Sequence, residues 1–233
     1  MDLDAFAEKF PRLYHLALDG TRSSDSITEH GLQSTSALLE LFEIEPGAVR
    51  VRGDWTARMT GSAGFLASRE ERIVRREVFE KEFRCNPIEL IHPTWGTAII
   101  RDHKMHRRKL EKALDGKVDV GDWIKLLNGK IFFFVDINAC GTLRTAYSGR
   151  SQVMLVLDTR KLLAKYRPSA QLTTINTGAT LHKPAKRGQK TFCDFVAFPT
   201  DDLKRIKEMT INHCVPDVID YYAEPPRRFP SAS

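Results

Sequence analysis

Two segments constrain the fold more than any others: Lys130 to Asp136, which contains Ile131-Phe132-Phe133-Phe134-Val135, and Gln152 to Asp158, which contains Val153-Met154-Leu155-Val156-Leu157. Both are β-branched or aromatic and apolar at successive positions, so both faces of each strand need cover. They predict the buried centre of a sheet. Neither apolar run approaches the roughly 20 residues needed to cross a bilayer, and no membrane span or membrane partner is expected. With 233 residues, 42% hydrophobic and 28% charged, the chain is long enough for one domain with a sizeable core.

The remaining pattern is mixed. Leu3, Phe6, Ala7 and Phe10 have helical spacing and stop at Pro11. Leu13 to Leu16 reads as a short strand, and Ser23 or Ser24 caps a helix that ends at Gly31. A helix follows over about 36–42, then a glycine-containing loop over 47–64. Ser68-Arg69-Glu70-Glu71 matches a capping box and predicts a surface helix to about Phe83. Thr97 to Ile100 is a predicted strand, 104–114 a basic helix, and a shorter helix ends near Asn128. Strand character returns at 171–174, at 191–198 after a basic loop over 176–190, and at 210–214 and 218–222; 201–208 looks helical. These elements predict one α+β domain over 1–224, with a central mixed or antiparallel sheet and peripheral helices. Residues 225–233, with three prolines, are expected to form a loose tail.

The acidic N-terminus lacks the basic and apolar parts of a secretory signal, and Cys85, Cys140, Cys193 and Cys214 form no C-x-x-C pair. Both features point to buried thiols in the cytoplasm. His103 and His106 lack a Glu-x-x-His partner, so no metal is expected.

Charge is distributed unevenly. The chain carries 36 basic and 30 acidic side chains, and from Thr159 to Cys193 there are eight bases and no acid. A second cluster, Arg101, Lys104, Arg107, Arg108, Lys109 and Lys112, has only Asp102 and Glu111 as counter-charges. Such stretches are either solvated faces or a polyanion site. Interleaved His103, His106, Tyr166, His182 and Phe192 favour a nucleic-acid partner, because flat side chains stack on bases while cations neutralise phosphate.

Three constellations can carry chemistry. In Tyr14-His15, at the end of a strand, the imidazole either holds a ribose or phosphate or is a structural histidine. In Ile100-Arg101-Asp102-His103, Arg101 can clamp phosphate, while Asp102 is an acid/base or the helix cap. In the third, Asn176-Thr177-Gly178 leads to Arg187, Lys190 and Phe192: the cations can meet phosphates and the ring a base, or the segment is a basic loop with Phe192 in the core. Asp194 is the carboxylate that follows it. Phosphate-loop, H-E-x-x-H, G-x-S-x-G and Rossmann patterns are missing from the sequence.

Taken together, Tyr14-His15, Ser26-Ile27 with His30-Gly31-Leu32, Ile131-Phe132-Phe133, Asn176-Thr177-Gly178 and Arg187-Gly188 with Thr191-Phe192 resemble an uncharacterised bacterial domain family over roughly 12–200. That family in turn resembles the DarT-type DNA ADP-ribosyltransferases, through the Tyr-His strand, the Ser-Ile to Gly-Leu helix and Asp194-Phe195-Val196. The resemblance implies an ADP-ribosyltransferase-like fold, NAD as co-substrate and a DNA partner. It implies that His15 holds the NAD ribose and that Asp194 stands where a catalytic glutamate is expected, one methylene shorter. The implied activity is ADP-ribosyl transfer to a DNA base in a toxin or antiviral role. Here His15 and Arg101 bind nucleotide, Asp194 or Asp102 supplies the acid/base, and Arg187 and Lys190 grip phosphate. A DNA glycosylase acting without NAD and a non-catalytic nucleic-acid-binding module are the alternatives.

Overall fold

The computed structural model describes residues 1–19, 23–54, 70–180 and 184–231. In chain order the elements are α1 (Leu3–Lys9), β1 (Arg12–Leu18), α2 (Ser23–His30), β2 (Leu32–Gln33), α3 (Thr35–Leu41), β3 (Glu43–Glu45), β4 (Ala48–Arg52), β5 (Glu71–Arg75) and α4 (Arg76–Lys81). There follow β6 (Ile88–His92), β7 (Gly96–Ile100), α5 (Arg107–Ala113), α6 (Val120–Asn128), β8 (Lys130–Phe134), α7 (Ile137–Ala146), β9 (Gln152–Asp158) and α8 (Thr159–Tyr166). The last strands are β10 (Ala170–Thr173), β11 (Cys193–Asp194), β12 (Glu208–Asn212), β13 (Cys214–Val215) and β14 (Tyr222–Phe229). The fold is α+β with antiparallel sheets. No helix among the described residues is long and apolar enough to cross a membrane.

The main sheet has the order β11-β10-β12-β8-β1-β9-β14, antiparallel throughout. Of the two apolar runs, β8 is the middle strand of the seven, and β9 lies beyond β1, covered at its far edge by β14. One face packs Leu13, Phe133, Leu155, Leu157, Leu172, Met209 and Ile211 against Phe6 of α1, Leu162 and Leu163 of α8, and Phe195. Full burial of each such side chain contributes about 1.5–3 kcal/mol. Opposite, Leu16, Phe134, Met154 and Val156 pack on Cys140 of α7, while Trp123 and Phe192 cover Phe132. A second sheet, β3-β4-β6-β7 with β5 on β4, buries Val49, Val51, Ile88, Leu90 and Ile100 against Leu39, Phe42 and Phe79.

Several expectations are corrected. The helix expected over 68–83 is instead strand β5 followed by the short α4: Ile73 and Val74 pair with Arg50 and Val49, because β-branched side chains favour the ladder. Ser68 of the capping box lies outside the described residues, and Glu71 is in the strand. Residues 48–52 of the expected loop form β4; 55–64 lie outside the description. The 191–198 strand shrinks to β11, and 218–222 is a 3-10 turn over Val218–Tyr221 that leads into β14, whereas the helical character expected over 201–208 is met by a 3-10 helix over Thr200–Arg205. The tail is not loose up to Phe229: Arg227, Arg228 and Phe229 pair with Met154, Val153 and Gln152. As the sheet's edge, β14 accommodates Pro225 and Pro226, whose missing N–H groups a central strand would need.

Gly31 ends α2 in the left-handed region, at φ 72, with its N–H donating to Ile27 O at 2.9 Å. A Cβ there would overlap the backbone of Val215 and Pro216. Gly31→Ala therefore adds overlap to left-handed strain, and we predict a loss of about 2 kcal/mol or more in urea unfolding. A midpoint within error of the wild type would contradict this.

Candidate active site

At one end of the main sheet β8 stops while β1 and β12 start. The registers Tyr14↔Phe134 and Glu208↔Phe134 set these three side chains side by side on one face. They line a cleft of about 770 Å³ with Lys9, Phe10, Val135, Asp136, Ile137, Ala139, Asn176, Lys204, Ile206 and Lys207. Lys9, Lys204 and Lys207 are exposed on the rim. Asp136 caps α7 by accepting from Asn138 N at 2.9 Å.

Glu208 is only 3% exposed. Its Oε2 accepts from Thr177 N at 3.2 Å and Thr177 Oγ1 at 2.8 Å. Burial raises its pKa from an ordinary 4.5 to about 7, opposed by the two Thr177 bonds and the nearby Arg187 charge. A carboxyl poised there exchanges a proton near neutral pH.

Thr177 is held in turn. Arg187, 2% exposed, donates from Nη1 to Thr177 O at 2.7 Å, from Nη2 to Ala179 O at 3.0 Å and from Nε to Ala185 O at 3.0 Å. Its guanidinium ties the carbonyls of Thr177, Ala179 and Ala185 together and is not offered to phosphate, which corrects the phosphate role expected for it. Burial lowers its pKa, and Glu208 opposes that shift.

The other expected residues divide. Tyr14 and Asn176 line the cleft, and Asn176 Oδ1 also accepts from Gly178 N at 3.2 Å. Lys190 is exposed on the turn Gln189–Thr191. Phe192 is core, not a base platform: it stacks on Trp123 at 6.0 Å and meets Phe132 at 6.2 Å. Asp194 is exposed on edge strand β11 and accepts from Gln171 Nε2 at 2.7 Å. Gln171 Oε1 accepts from Lys130 Nζ, which also donates to Asn212 Oδ1 at 2.8 Å. Burial pushes the Lys130 amine down to about 8, against the pull of Asp194.

His15 and Arg101 are brought together, away from the cleft. The β1–β8 pairing is confined to Tyr14↔Phe134. Beyond it, His15 Nδ1 meets Phe132 O at 2.9 Å and Arg101 Nη1 donates to Leu16 O at 3.0 Å. These side chains satisfy carbonyls where the strands pair no further. Burial, with Arg101 adding to it, takes the His15 pKa down to about 4, so the imidazole is neutral. Neither His15 nor Arg101 lines the cleft, so the nucleotide roles expected for both are not placed there.

Asp102 is buried and is not a helix cap, because His106 holds that position for α5. Its Oδ2 pairs with Lys104 Nζ at 3.2 Å, and Oδ1 has no hydrogen-bond partner among the described residues. Around it Arg84 donates to Arg101 O at 3.2 Å and Asn128 Oδ1 at 3.0 Å, and Tyr147 donates to Asp102 O at 2.9 Å. This polar hub joins β7 to α6 and α7; none of its members lines the cleft.

Sequence reading missed Glu208 and the lysines beside it. Alternation in Glu208-Met209-Thr210-Ile211-Asn212 was the available signal, with Glu208 at the mouth of a strand just after Lys204 and Lys207.

A buried carboxylate near neutrality in a lysine-rimmed cleft defines a candidate acid/base site for an anionic substrate. Residues 59–222 match the model of a family of unknown function (DUF7002), and the chain belongs to that family. No curated protein and no solved structure matches. The matched segment holds Asn176, Lys204, Lys207 and Glu208; Lys9 and Tyr14 precede it.

Proposed function

We propose that the cleft is a nucleotide site in which Glu208 drives N-glycosidic-bond chemistry, with NAD as ADP-ribose donor and a DNA base as acceptor, on an ADP-ribosyltransferase-like fold. The observation that carries this reading is Glu208 itself: a buried carboxyl with a pKa of about 7, beside Tyr14, on the wall of a cleft rimmed by three lysines. The volume lies within the range of roughly 300–1,000 Å³ usual for small-ligand pockets. Lysine ammoniums are matched to the two phosphates of a dinucleotide, and the rings of Tyr14 and Phe10 to its ribose or base.

In this reading the bond between nicotinamide and ribose C1 breaks, nicotinamide leaves with the bonding electrons, and positive charge develops on the sugar. The ionised Glu208 carboxylate stabilises that charge. A base nitrogen then attacks C1 and releases one proton, so NAD and acceptor become ADP-ribosylated base, nicotinamide and H⁺. Because the ionised form acts, turnover rises with pH through about 7 and levels off above it. In this reading Glu208, rather than Asp194 or Asp102, is the catalytic carboxylate.

The test is to incubate the protein with DNA, with and without NAD, and record the mass of the DNA and its alkali-labile sites. A mass gain that needs NAD supports transfer. Alkali-labile sites without NAD replace it with base excision, and binding without either product replaces it with a non-catalytic module. Lys204→Ala/Lys207→Ala is expected to raise the KM for NAD about tenfold or more while kcat changes little; unchanged KM would remove these lysines from substrate binding.

A further inference from the structure

The two basic segments of the sequence meet in the fold, and they meet outside the cleft. Arg187 N donates to Ala113 O at 2.9 Å, Arg187 forms a bridge with Leu114, and Lys186 Nζ donates to Lys112 O at 3.2 Å. These contacts dock the 184–190 segment on the C-terminal end of α5. Arg108 and Lys112 lie four residues apart on α5, so they share one helix face. Arg108, Lys112, Lys186 and Lys190 are all exposed.

Among the described residues none of these four cations pairs with a carboxylate. The nearby acids are placed otherwise: Glu111 pairs with Arg107 at 3.3 Å, and Asp115, beside Gly188, accepts from Lys117 N at 3.1 Å. Elsewhere on the surface, Arg12, Arg52, Arg76, Arg160, Lys165, Arg205, Arg227 and Arg228 each have a carboxylate partner. Like charges held close together repel one another, and a polyanion relieves that repulsion while releasing its own condensed cations.

We propose that the surface formed by Arg108, Lys112, Lys186 and Lys190 is a docking site for a nucleic-acid backbone. This deepens the proposed function, since it places the acceptor strand on a surface separate from the donor cleft. Contacts to phosphate carry no sequence preference, so the site holds the strand and leaves base choice to the cleft.

The test measures anisotropy of a fluorescein-labelled DNA oligonucleotide between 50 and 200 mM salt. Arg108→Ala/Lys112→Ala/Lys186→Ala is expected to bind about tenfold or more weakly at the low-salt end. Its log–log salt slope should be shallower by about 2–3, from roughly 0.7–0.9 per lost phosphate contact. Arg108→Ala/Lys112→Ala, which leaves the Lys186 bond in place, should show about two-thirds of that slope change. A charge-matched control on and just after α8, Arg160→Ala/Lys161→Ala/Arg167→Ala, should keep the wild-type slope. The proposal is overturned by wild-type protein that does not bind the DNA, by an unchanged slope in both α5 variants, or by an equal loss in the α8 control. Nicotinamide release from NAD, measured on the same proteins, separates the two readings: its absence from every protein removes the chemistry assigned to the cleft, while the anisotropy still decides the docking surface.

Discussion

Glu208→Gln is expected to abolish turnover in the cleft and to make the protein more stable above pH 7. The amide keeps the shape of the side chain, and its oxygen can still accept from Thr177 N and Oγ1, but it carries no charge. In the unfolded chain Glu208 ionises at its ordinary 4.5; in the fold it does so near 7. Between those values the folded state holds the extra proton. The stability this contributes is fully present below 4.5 and is lost as pH rises through 7. The shift amounts to about 3 kcal/mol. Thermal denaturation of wild type and variant should therefore diverge from pH 5 to 8, with the variant higher at pH 8. Parallel profiles would show that Glu208 ionises normally and is not the poised carboxyl. A residue that costs stability where it is ionised fits a functional role better than a structural one.

Arg187→Ala should give the largest loss of stability of any single change at the site. It strips the partner from the carbonyls of Thr177, Ala179 and Ala185 together, and hydrogen bonds to a charged donor contribute about 1.5–3 kcal/mol each. Allowing for relaxation around Thr177, Ala179 and Ala185, the expected cost is about 3 kcal/mol or more, read as a shift of the urea midpoint. Thr177 would also loosen its hold on Glu208, so any remaining activity should have a displaced pH profile. Arg187→Lys keeps the charge but cannot present a fork of donors, and should recover only part of the loss. A variant as stable as the wild type would mean that Thr177, Ala179 and Ala185 are held by something else.

How much of this was legible in the sequence differs by feature. The strands β8 and β9 declare themselves, because five successive apolar residues leave few other places to go; β8 is the sheet's middle strand and β9 lies inside its edge. Gly31 marks the end of α2 for the same local reason. Glu71–Arg75 misled because helix caps and charge are local signals, whereas strand formation there depends on β4, about twenty residues earlier. The site was less legible still. Tyr14 and His15 are adjacent, but a strand sends neighbours to opposite faces, so only Tyr14 reaches the cleft. Arg187 and Phe192 look like ligand groups by residue type; burial decides otherwise, and burial is a tertiary fact. Glu208 owes its character to desolvation and to Thr177, thirty-one residues away, which no local pattern encodes.

The most direct test of the central claim is release of nicotinamide from NAD in the presence of DNA, followed from pH 5.5 to 8.5 for wild type and Glu208→Gln. The account predicts a wild-type rate that climbs through about pH 7 to a plateau and a variant rate lower by at least a hundredfold at every pH. Equal release by the two proteins, or a wild-type rate that does not change across that range, would contradict it.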